Sequence, residues 1–371
     1  MRRFKIFAVL LVSAISFTAG AQEIYKNHSF ELKTVLGGHL LADKDGFIQD
    51  RLYGLDFSYL KDISHDKDNW IKHSHAKTYG LNFIFRDLSH LKGHQDTSVN
   101  AFGYAYGLAA QIEFQLLKIG NTTVNFTPAI GISYLTKTYF TDFKNRFIGS
   151  HLNETIKADL FVKIPLKSNM NLMAGAGFLH YSNGGFSIPN SGINTLTVFT
   201  GLSLNGQSSS SETGKTKSNF TPLQKNSIEI GFGIGRRGVY QEHKGLYKSG
   251  MYAGYNYYLN DLLTVKAGFD AVYYYTLYDV SKNVQTFQYY ATSYDRWRTG
   301  ISLGLDVTMW RIVLSGQAGK YLHYNSYFKN IKGYWATGIT YALTPHIGIQ
   351  AKTYMHNLQA DYINYGLVFR L

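Results

Sequence analysis

A histidine, a serine and an asparagine fall within one run of fifteen residues, His180-Tyr181-Ser182-Asn183-Gly184-Gly185-Phe186-Ser187-Ile188-Pro189-Asn190-Ser191-Gly192-Ile193-Asn194. The residues leading into it, 169–182, alternate as a β-strand does, and in a strand residues i and i+2 project from one face. His180 and Ser182 therefore stand side by side, where the imidazole can take the hydroxyl proton as the oxygen attacks an ester carbonyl. Asn194 falls at the start of the next alternating segment and can hold the imidazole in the productive tautomer. An amide orients the ring without stabilising imidazolium by charge, so it is a weaker helper than a carboxylate. Backbone N–H groups at Asn183 to Gly185 are candidates for an oxyanion hole, because glycine lets the chain approach a substrate closely. A His-x-Ser pair alone reads as a surface feature beside an Asn-Gly turn. The full string at a strand end makes the hydrolase reading the stronger one.

The strand that carries His180 and Ser182 groups them with Leu172, Ala174, Ala176 and Phe178. Its successor, 193–204, groups Asn194 with Leu196, Val198, Leu202 and Leu204. Three polar residues thus sit at the end of two apolar rows. Unpaired polar groups cost free energy in hydrocarbon. Mutual hydrogen bonds supply part of the compensation, and a lipid substrate supplies the rest.

The whole chain reads as strands of this kind. Sixteen are expected, near 30–41, 50–61, 77–87, 99–117, 122–135, 154–165, 169–182 and 193–204, then 226–236, 248–258, 262–276, 297–308, 311–322, 332–342, 346–356 and 361–371. Strand 99–117 places Phe102, Tyr104, Tyr106, Leu108, Ile112, Phe114 and Leu116 on one side, and small or polar residues on the other. Long and short connections alternate, as in a barrel with short periplasmic turns and long outer loops. Segment 62–76 breaks that rhythm, being long where a short turn is expected. No apolar run after residue 21 is long enough for a spanning helix. The chain has 30 Tyr, 24 Phe, 36 Gly, 5 Pro and no Cys. This composition and pattern predict an all-β, antiparallel transmembrane β-barrel of the Gram-negative outer membrane. Met1-Arg2-Arg3-Phe4-Lys5, the apolar run Ile6 to Phe17 and Ala19-Gly20-Ala21 read as a signal peptide, residues 1–21, cleaved before Gln22.

Charged residues on the inward face, Arg86, Glu113, Lys157, Asp159 and Lys163, then Glu229, Lys266, Asp270, Arg298, Asp306 and Lys352, are expected to pair within a narrow lumen, since buried charges need partners. An ion path is the less favoured reading. Residues 205–225 are polar and of low complexity, and divide the chain into 22–204 and 226–371. Two tethered eight-stranded barrels satisfy the pattern. One barrel of about sixteen strands with a long periplasmic loop is preferred, because it needs a single insertion and folding event.

The run His180-Tyr181-Ser182-Asn183-Gly184, with Pro189-Asn190 and Gly192-Ile193-Asn194, resembles the lipid A 3-O-deacylase family, whose longer relatives are called acyloxyacyl hydrolases. Ile148-Gly149-Ser150-His151-Leu152-Asn153 is similar to a motif of those relatives. The resemblance covers roughly residues 30–204 and implies an eight-stranded outer-membrane barrel that removes the 3-linked acyl chain of lipid A without a metal. It implies Ser182 as nucleophile, His180 as base, and Asn183 and Gly185 as oxyanion contributors. The third triad member in that family is a glutamate, where this chain has Asn194. Outer-membrane phospholipase A has a similar His-x-Ser-Asn-Gly string with an asparagine third member. That resemblance implies a twelve-stranded, calcium-activated, dimeric enzyme.

The expected activity is therefore a carboxylic ester hydrolase acting on lipid A. The alternatives are a phospholipase and a non-catalytic pore or structural barrel. The formal net charge of +13 is read as affinity for phosphorylated lipopolysaccharide head groups or as loop solvation, not as nucleic-acid binding. His65, His73, His75, His90 and His94, near Asp66 and Asp68, match no standard metal-site spacing, and are read as solvated loop residues. Arg236, Arg237, Lys244 and Lys248 are placed on a long outer loop, where they touch lipid phosphates or solvent.

Overall fold

The computed structural model describes residues 27–43, 46–91, 100–167, 169–206, 225–240, 242–276, 295–325, 331–357 and 359–371. The expected signal peptide and 207–224 of the expected connection lie outside the described residues.

Alternation of apolar and small or polar residues produces strands wherever the sequence pattern places them. The first eight are β1 (His28–Asp43), β2 (Gly46–Asp62), β3 (Ala76–Asp87), β4 (Tyr104–Ile119), β5 (Thr122–Leu135), β6 (Leu152–Lys167), β7 (Met170–Ser182) and β8 (Ile193–Asn205). The second eight are β9 (Asn226–Gly238), β10 (Gly245–Tyr258), β11 (Leu263–Tyr274), β12 (Trp297–Met309), β13 (Ile312–His323), β14 (Gly333–Ala342), β15 (Ile347–His356) and β16 (Gln359–Arg370). Within β1–β8 and within β9–β16, every strand pairs antiparallel with its sequence neighbour. β8 returns to β1 from Ser29↔Asn205 to His39↔Thr195, and β16 returns to β9 from Arg370↔Glu229 to Ile363↔Arg236. The chain therefore closes twice at eight strands, not once at sixteen as the sequence argument preferred. Once β8 has paired with β1, no edge remains to accept β9, and closure removes the unpaired edges that hydrocarbon penalises.

The outward rows are apolar and exposed, including Leu108, Ile132, Ile156, Leu160 and Val198 in the first barrel and Ile230, Phe232, Leu303 and Leu305 in the second. Phe102 departs from the expected pattern. It precedes β4 and is buried over the mouth of the first barrel, 5.9 Å from the His39 ring and 5.5 Å from Phe147.

Ion pairs fill both lumens. In the first barrel Lys33 reaches Asp159 at 3.0 Å, Arg86 reaches Asp56 at 2.5 Å, Lys157 bridges Asp159 and Asp56 at 2.5 and 3.1 Å, and Lys163 bridges Glu113 and Glu31 at 2.6 and 2.9 Å. In the second, the Asp270 carboxylate accepts from Lys352, Ser302, Tyr334 and Tyr354 at 2.7–2.8 Å. Lys266 joins Glu229 at 2.6 Å and Asp306 at 3.3 Å. Nearer the outer end, Asp361 receives Lys248 and Arg298, both at 2.6 Å. Arg237 and Lys248 therefore belong to this buried cluster on β9 and β10, and Arg236 also lies on β9. Of the four cations assigned to an outer loop, only Lys244 is on one.

The irregular segment 62–76 contains a short helix, α1 (Asn69–Ser74), at the barrel end opposite Ser182, the end expected to face the periplasm. Its Trp70 and Ile71 are buried in a cluster with Ile63, Ala76 and Met309, and Met309 belongs to the second barrel. The length of this connection is thus explained by a contact between barrels. The candidate histidines divide accordingly. His65, His73 and His75 lie at the same end as α1, and His90 follows β3 at the opposite end, so they cannot share one metal. His94 lies outside the described residues.

Asp361 is fully buried and takes two direct cation contacts. Removing one member of such a cluster strands the remaining charges. Asp361→Ala is expected to destabilise the second barrel by about 3–5 kcal/mol, measured by urea unfolding in lipid vesicles. A change below about 1 kcal/mol would show that the cluster contributes little.

Candidate active site

Strand β7 ends at Ser182, and its exposed row Ala174, Ala176, Phe178 and His180 faces outward while Met173, Gly177, Leu179 and Tyr181 are buried inward. His180 is half-buried on the outward row, and Ser182, two residues on, is buried beneath the loop that follows it. Asn194 lies on the outward row of β8, directly opposite His180 in register. His180 Nδ1 and Asn194 Oδ1 are 2.7 Å apart. With the amide oxygen facing the ring, Nδ1 carries the proton and Nε2 is left free to act as a base.

Ser182 Oγ is engaged elsewhere. It accepts from Asn190 Nδ2 at 2.9 Å and from the Gly184 N–H at 3.2 Å. No hydrogen bond joins it to His180 among the described residues. The structure thus brings together the His180–Asn194 pair and sets Ser182 beside it, with its oxygen turned toward two donors.

The expected oxyanion groups fall differently. The Gly185 N–H donates to Asn183 Oδ1 at 3.1 Å, and the Asn183 N–H donates to Asn190 Oδ1 at 3.0 Å. The donor aimed at the serine is the N–H between them, that of Gly184. Asn183 acts as a brace. Its Nδ2 donates to Ser150 Oγ at 2.8 Å and to Ser187 O at 3.0 Å. The Gly149–Asn153 region is tied in as well. Ser187 Oγ donates to Gly149 O at 2.7 Å, Asn153 Nδ2 to Ser150 O at 2.8 Å, and His151 Nδ1 lies 2.7 Å from Leu135 O. Ile148 forms an isolated bridge with Asn190, which closes the loop over the serine.

Gly192 is required at its position. Its φ is +76°, in the left-handed region, and a Cβ there would lie 2.7 Å from His180 Cε1. The imidazole packs against a surface that no larger residue leaves free.

Sequence reasoning missed two residues here. Asn190 reaches Ser182 only because the loop folds back, and strand periodicity carries no signal of that. Glu154 is directly across from Ser182 in the β6–β7 register, on the same outward row as Leu152 and Ile156. It is half-buried, and it is the ionisable group in an otherwise apolar row. That interruption was legible in the alternation.

Two closed antiparallel barrels with apolar outer rows and ion-paired lumens define an outer-membrane β-barrel protein. The family model described as lipid A 3-O-deacylase (PagL) matches residues 69–203, and that described as acyloxyacyl hydrolase, C-terminal domain, matches residues 226–371. The chain is thus similar to the lipid A 3-O-deacylase family over residues 69–203 and to the acyloxyacyl hydrolase C-terminal domain over residues 226–371. A search of curated proteins finds no match. Similar solved structures include the outer membrane enzyme PagL, with 16% identity over 46% of this chain and 97% of that one and a TM-score of 0.31. Neisserial surface protein A shows 7% identity over 48% and 97%, with a TM-score of 0.30. The Salmonella typhi outer membrane phospholipase dimer with bound calcium shows 10% identity over 92% and 90%, with a TM-score of 0.17.

Asn190→Ala removes one of the two donors that converge on Ser182 Oγ. If those donors receive a developing oxyanion, the variant should lose roughly a hundredfold to a thousandfold in kcat, with the barrel still folded by heat-modifiable gel mobility. Ester hydrolysis at the wild-type rate would remove Asn190 from the site.

Proposed function

We propose that the chain is an outer-membrane serine esterase that hydrolyses an ester-linked acyl chain of lipid A, with Ser182 as nucleophile, His180 as base and Asn194 as the orienting group. The observation that carries this reading is the His180–Asn194 pair at 2.7 Å, set on the outward face beside a serine whose oxygen meets two converging donors. A site on that face meets lipid, not solute. Similarity to the deacylase family over residues 69–203 and the +13 formal charge, suited to a phosphorylated lipid, support the same substrate.

Ser182 Oγ leaves Asn190 and Gly184 and turns to His180 Nε2, a rotation about one side-chain bond. It attacks the acyl carbonyl as Nε2 takes its proton. The Gly184 N–H and the Asn190 amide, released by the hydroxyl, receive the oxyanion. In this proposal they take the role first assigned to Asn183 and Gly185, which hold the turn in shape. The tetrahedral intermediate collapses as His180 returns the proton to the departing sugar oxygen. Water, deprotonated by the same nitrogen, then releases the fatty acid and restores the serine. Asn194 keeps Nδ1 protonated throughout.

The amide at 194 favours a second reading, a phospholipase that depends on calcium. Mass spectrometry of membrane lipids from cells with and without the protein separates the two. Lipid A should lose one acyl chain when the wild-type protein is present and keep it with Ser182→Ala, with or without a calcium chelator. Unchanged lipid A in both cases, with chelator-sensitive release of fatty acid from phosphatidylethanolamine, would establish the phospholipase. Asn194→Ala should retain binding but lower kcat by about tenfold to a thousandfold, as expected when the imidazole loses its orienting partner. An unaffected rate would sink the assigned role of Asn194.

A further inference from the structure

The turn after Ser182 contains two successive residues in the left-handed region, Gly184 at φ +61° and Gly185 at φ +84°. Glycine backbone has a wide conformational range, and a donor stabilises a developing charge well only if it is already fixed in place. The first barrel holds Asn183 and Asn190. The Gly184 and Gly185 N–H groups bond within the turn, to Ser182 Oγ and Asn183 Oδ1, and the other contacts on these two residues come from the second barrel. The Gly238 N–H, at the end of β9, donates to Gly185 O at 2.8 Å. Ile188 forms a parallel bridge with Tyr240. The Arg236 guanidinium lies over the Phe186 ring at 4.5 Å. Gly184 is packed flush against Ile363 of β16, and a Cβ at Gly185 would lie 3.0 Å from Asp361 O and 3.2 Å from Ala360 O. Those two carbonyls are themselves held by Arg237 Nη1, at 2.7 and 2.9 Å. Alongside, His243 stacks on Phe140 of the first barrel at 4.0 Å.

A contact at one end alone would leave the barrels free to pivot. They also meet at the other end. Trp310 packs edge-on against Trp70 and Tyr79, both at 4.8 Å, its Nε1–H donates to Asp68 Oδ2 at 2.8 Å, and Asn69 Nδ2 donates to Asp261 Oδ2 at 2.7 Å. Two contact regions at opposite ends fix the relative orientation.

We propose that the second barrel is part of the catalytic site: the rim formed by β9 and β16 clamps residues 184–188 and so fixes the Gly184 N–H against Ser182. The proposal rests on the reading of Ser182 as nucleophile. Gly238 and Ile363 are then positioning residues, acting through the backbone of the turn without touching substrate.

The full chain in lipid vesicles provides the test, with two readouts. The chain contains no cysteine, so the double variant Ile188→Cys/Tyr240→Cys can be joined by a short bismaleimide, and the product identified by peptide mass spectrometry. Crosslinking in the folded protein is expected. Its failure in folded protein overturns the clamp. Gly238→Ala places a methyl group 2.7 Å from Ile188 N and 2.8 Å from Ser187 Cα, pushing the turn off the rim. It should lower kcat about tenfold to a hundredfold, with KM changed less than about twofold. Labelling of Ser182 by a fluorophosphonate should slow in parallel, with both barrels folded by gel mobility and protease resistance. Ile363→Ala, which loosens the same contact without adding bulk, should move both rates in the same direction. A wild-type protein that labels at Ser182, paired with variants that label and turn over as fast, overturns the clamp and leaves the esterase standing. A wild-type protein inert to the probe and to lipid removes the esterase, and the clamp with it, even where the crosslink forms.

Discussion

Hydrocarbon offers no partner to a backbone N–H or C=O, so a chain that crosses it in strands must close every edge. The rest of the structure follows from that constraint. Closure at eight strands leaves a lumen only wide enough for side chains, and here it is filled by lysine, arginine and carboxylate pairs. A filled lumen offers no room for a substrate. That leaves the outward face and the loops at the rim, where His180, Ser182 and Asn194 lie, and the proposed lipid-facing site accords with a narrow barrel. Loop length is spent accordingly: the connections that lie over Ser182, 136–151 and 183–192, are bonded to each other through Ile148, Gly149, Ser150, Ser187 and Asn190.

All sixteen strands were legible because alternation is a local signal, and the residues that obey it declare which face they occupy. The outward pairing of His180 with Asn194 followed from the same parity. What local pattern cannot express is which strand a strand returns to. The return of β8 to β1 joins residues more than 150 apart, as in Ser29↔Asn205, and the sequence of β8 is equally able to pair with β9. The preference for one large barrel failed at that step. Alternation also misled at the ends of strands. Phe102 continues the outward parity of β4 but belongs to the loop ahead of it, where burial beside His39 and Phe147 outweighs the pattern. Arg236, Arg237 and Lys248, placed with Lys244 on an outer loop, fall at the boundaries of the expected strands 226–236 and 248–258, and the strands extend past those bounds to Gly238 and back to Gly245. They lie on strands, two of them facing a carboxylate, Asp361, that the sequence argument never paired with them. Asn190 and the Gly184 N–H depend on how a loop curls, which no periodicity records.

The segment 62–76 shows how an exception to a pattern carries information. A long connection where a short turn suffices costs chain entropy, and each doubling of loop length adds only about 0.6 kcal/mol. That small cost is offset by burying Trp70 and Ile71 against the second barrel. The same economy applies at the outer rim, where the backbone of Gly238 pairs with Gly185. Two barrels that could each close alone are held at both ends, and one of those ends is the turn that follows the serine.

The asparagine at 194 is intelligible in that setting. A carboxylate beside the imidazole would stabilise imidazolium more strongly than an amide, but it would place an ionised group on an outward row otherwise composed of Leu196, Val198 and their neighbours. Desolvating an isolated charge costs several kcal/mol, and a hydrogen-bonded amide avoids that cost. It still fixes the tautomer through Oδ1. The row across the site already carries one ionisable group, Glu154, in register with Ser182. In the proposed triad, an amide third member gives up charge stabilisation in exchange for a site that can sit half-buried at the membrane rim without a counter-ion.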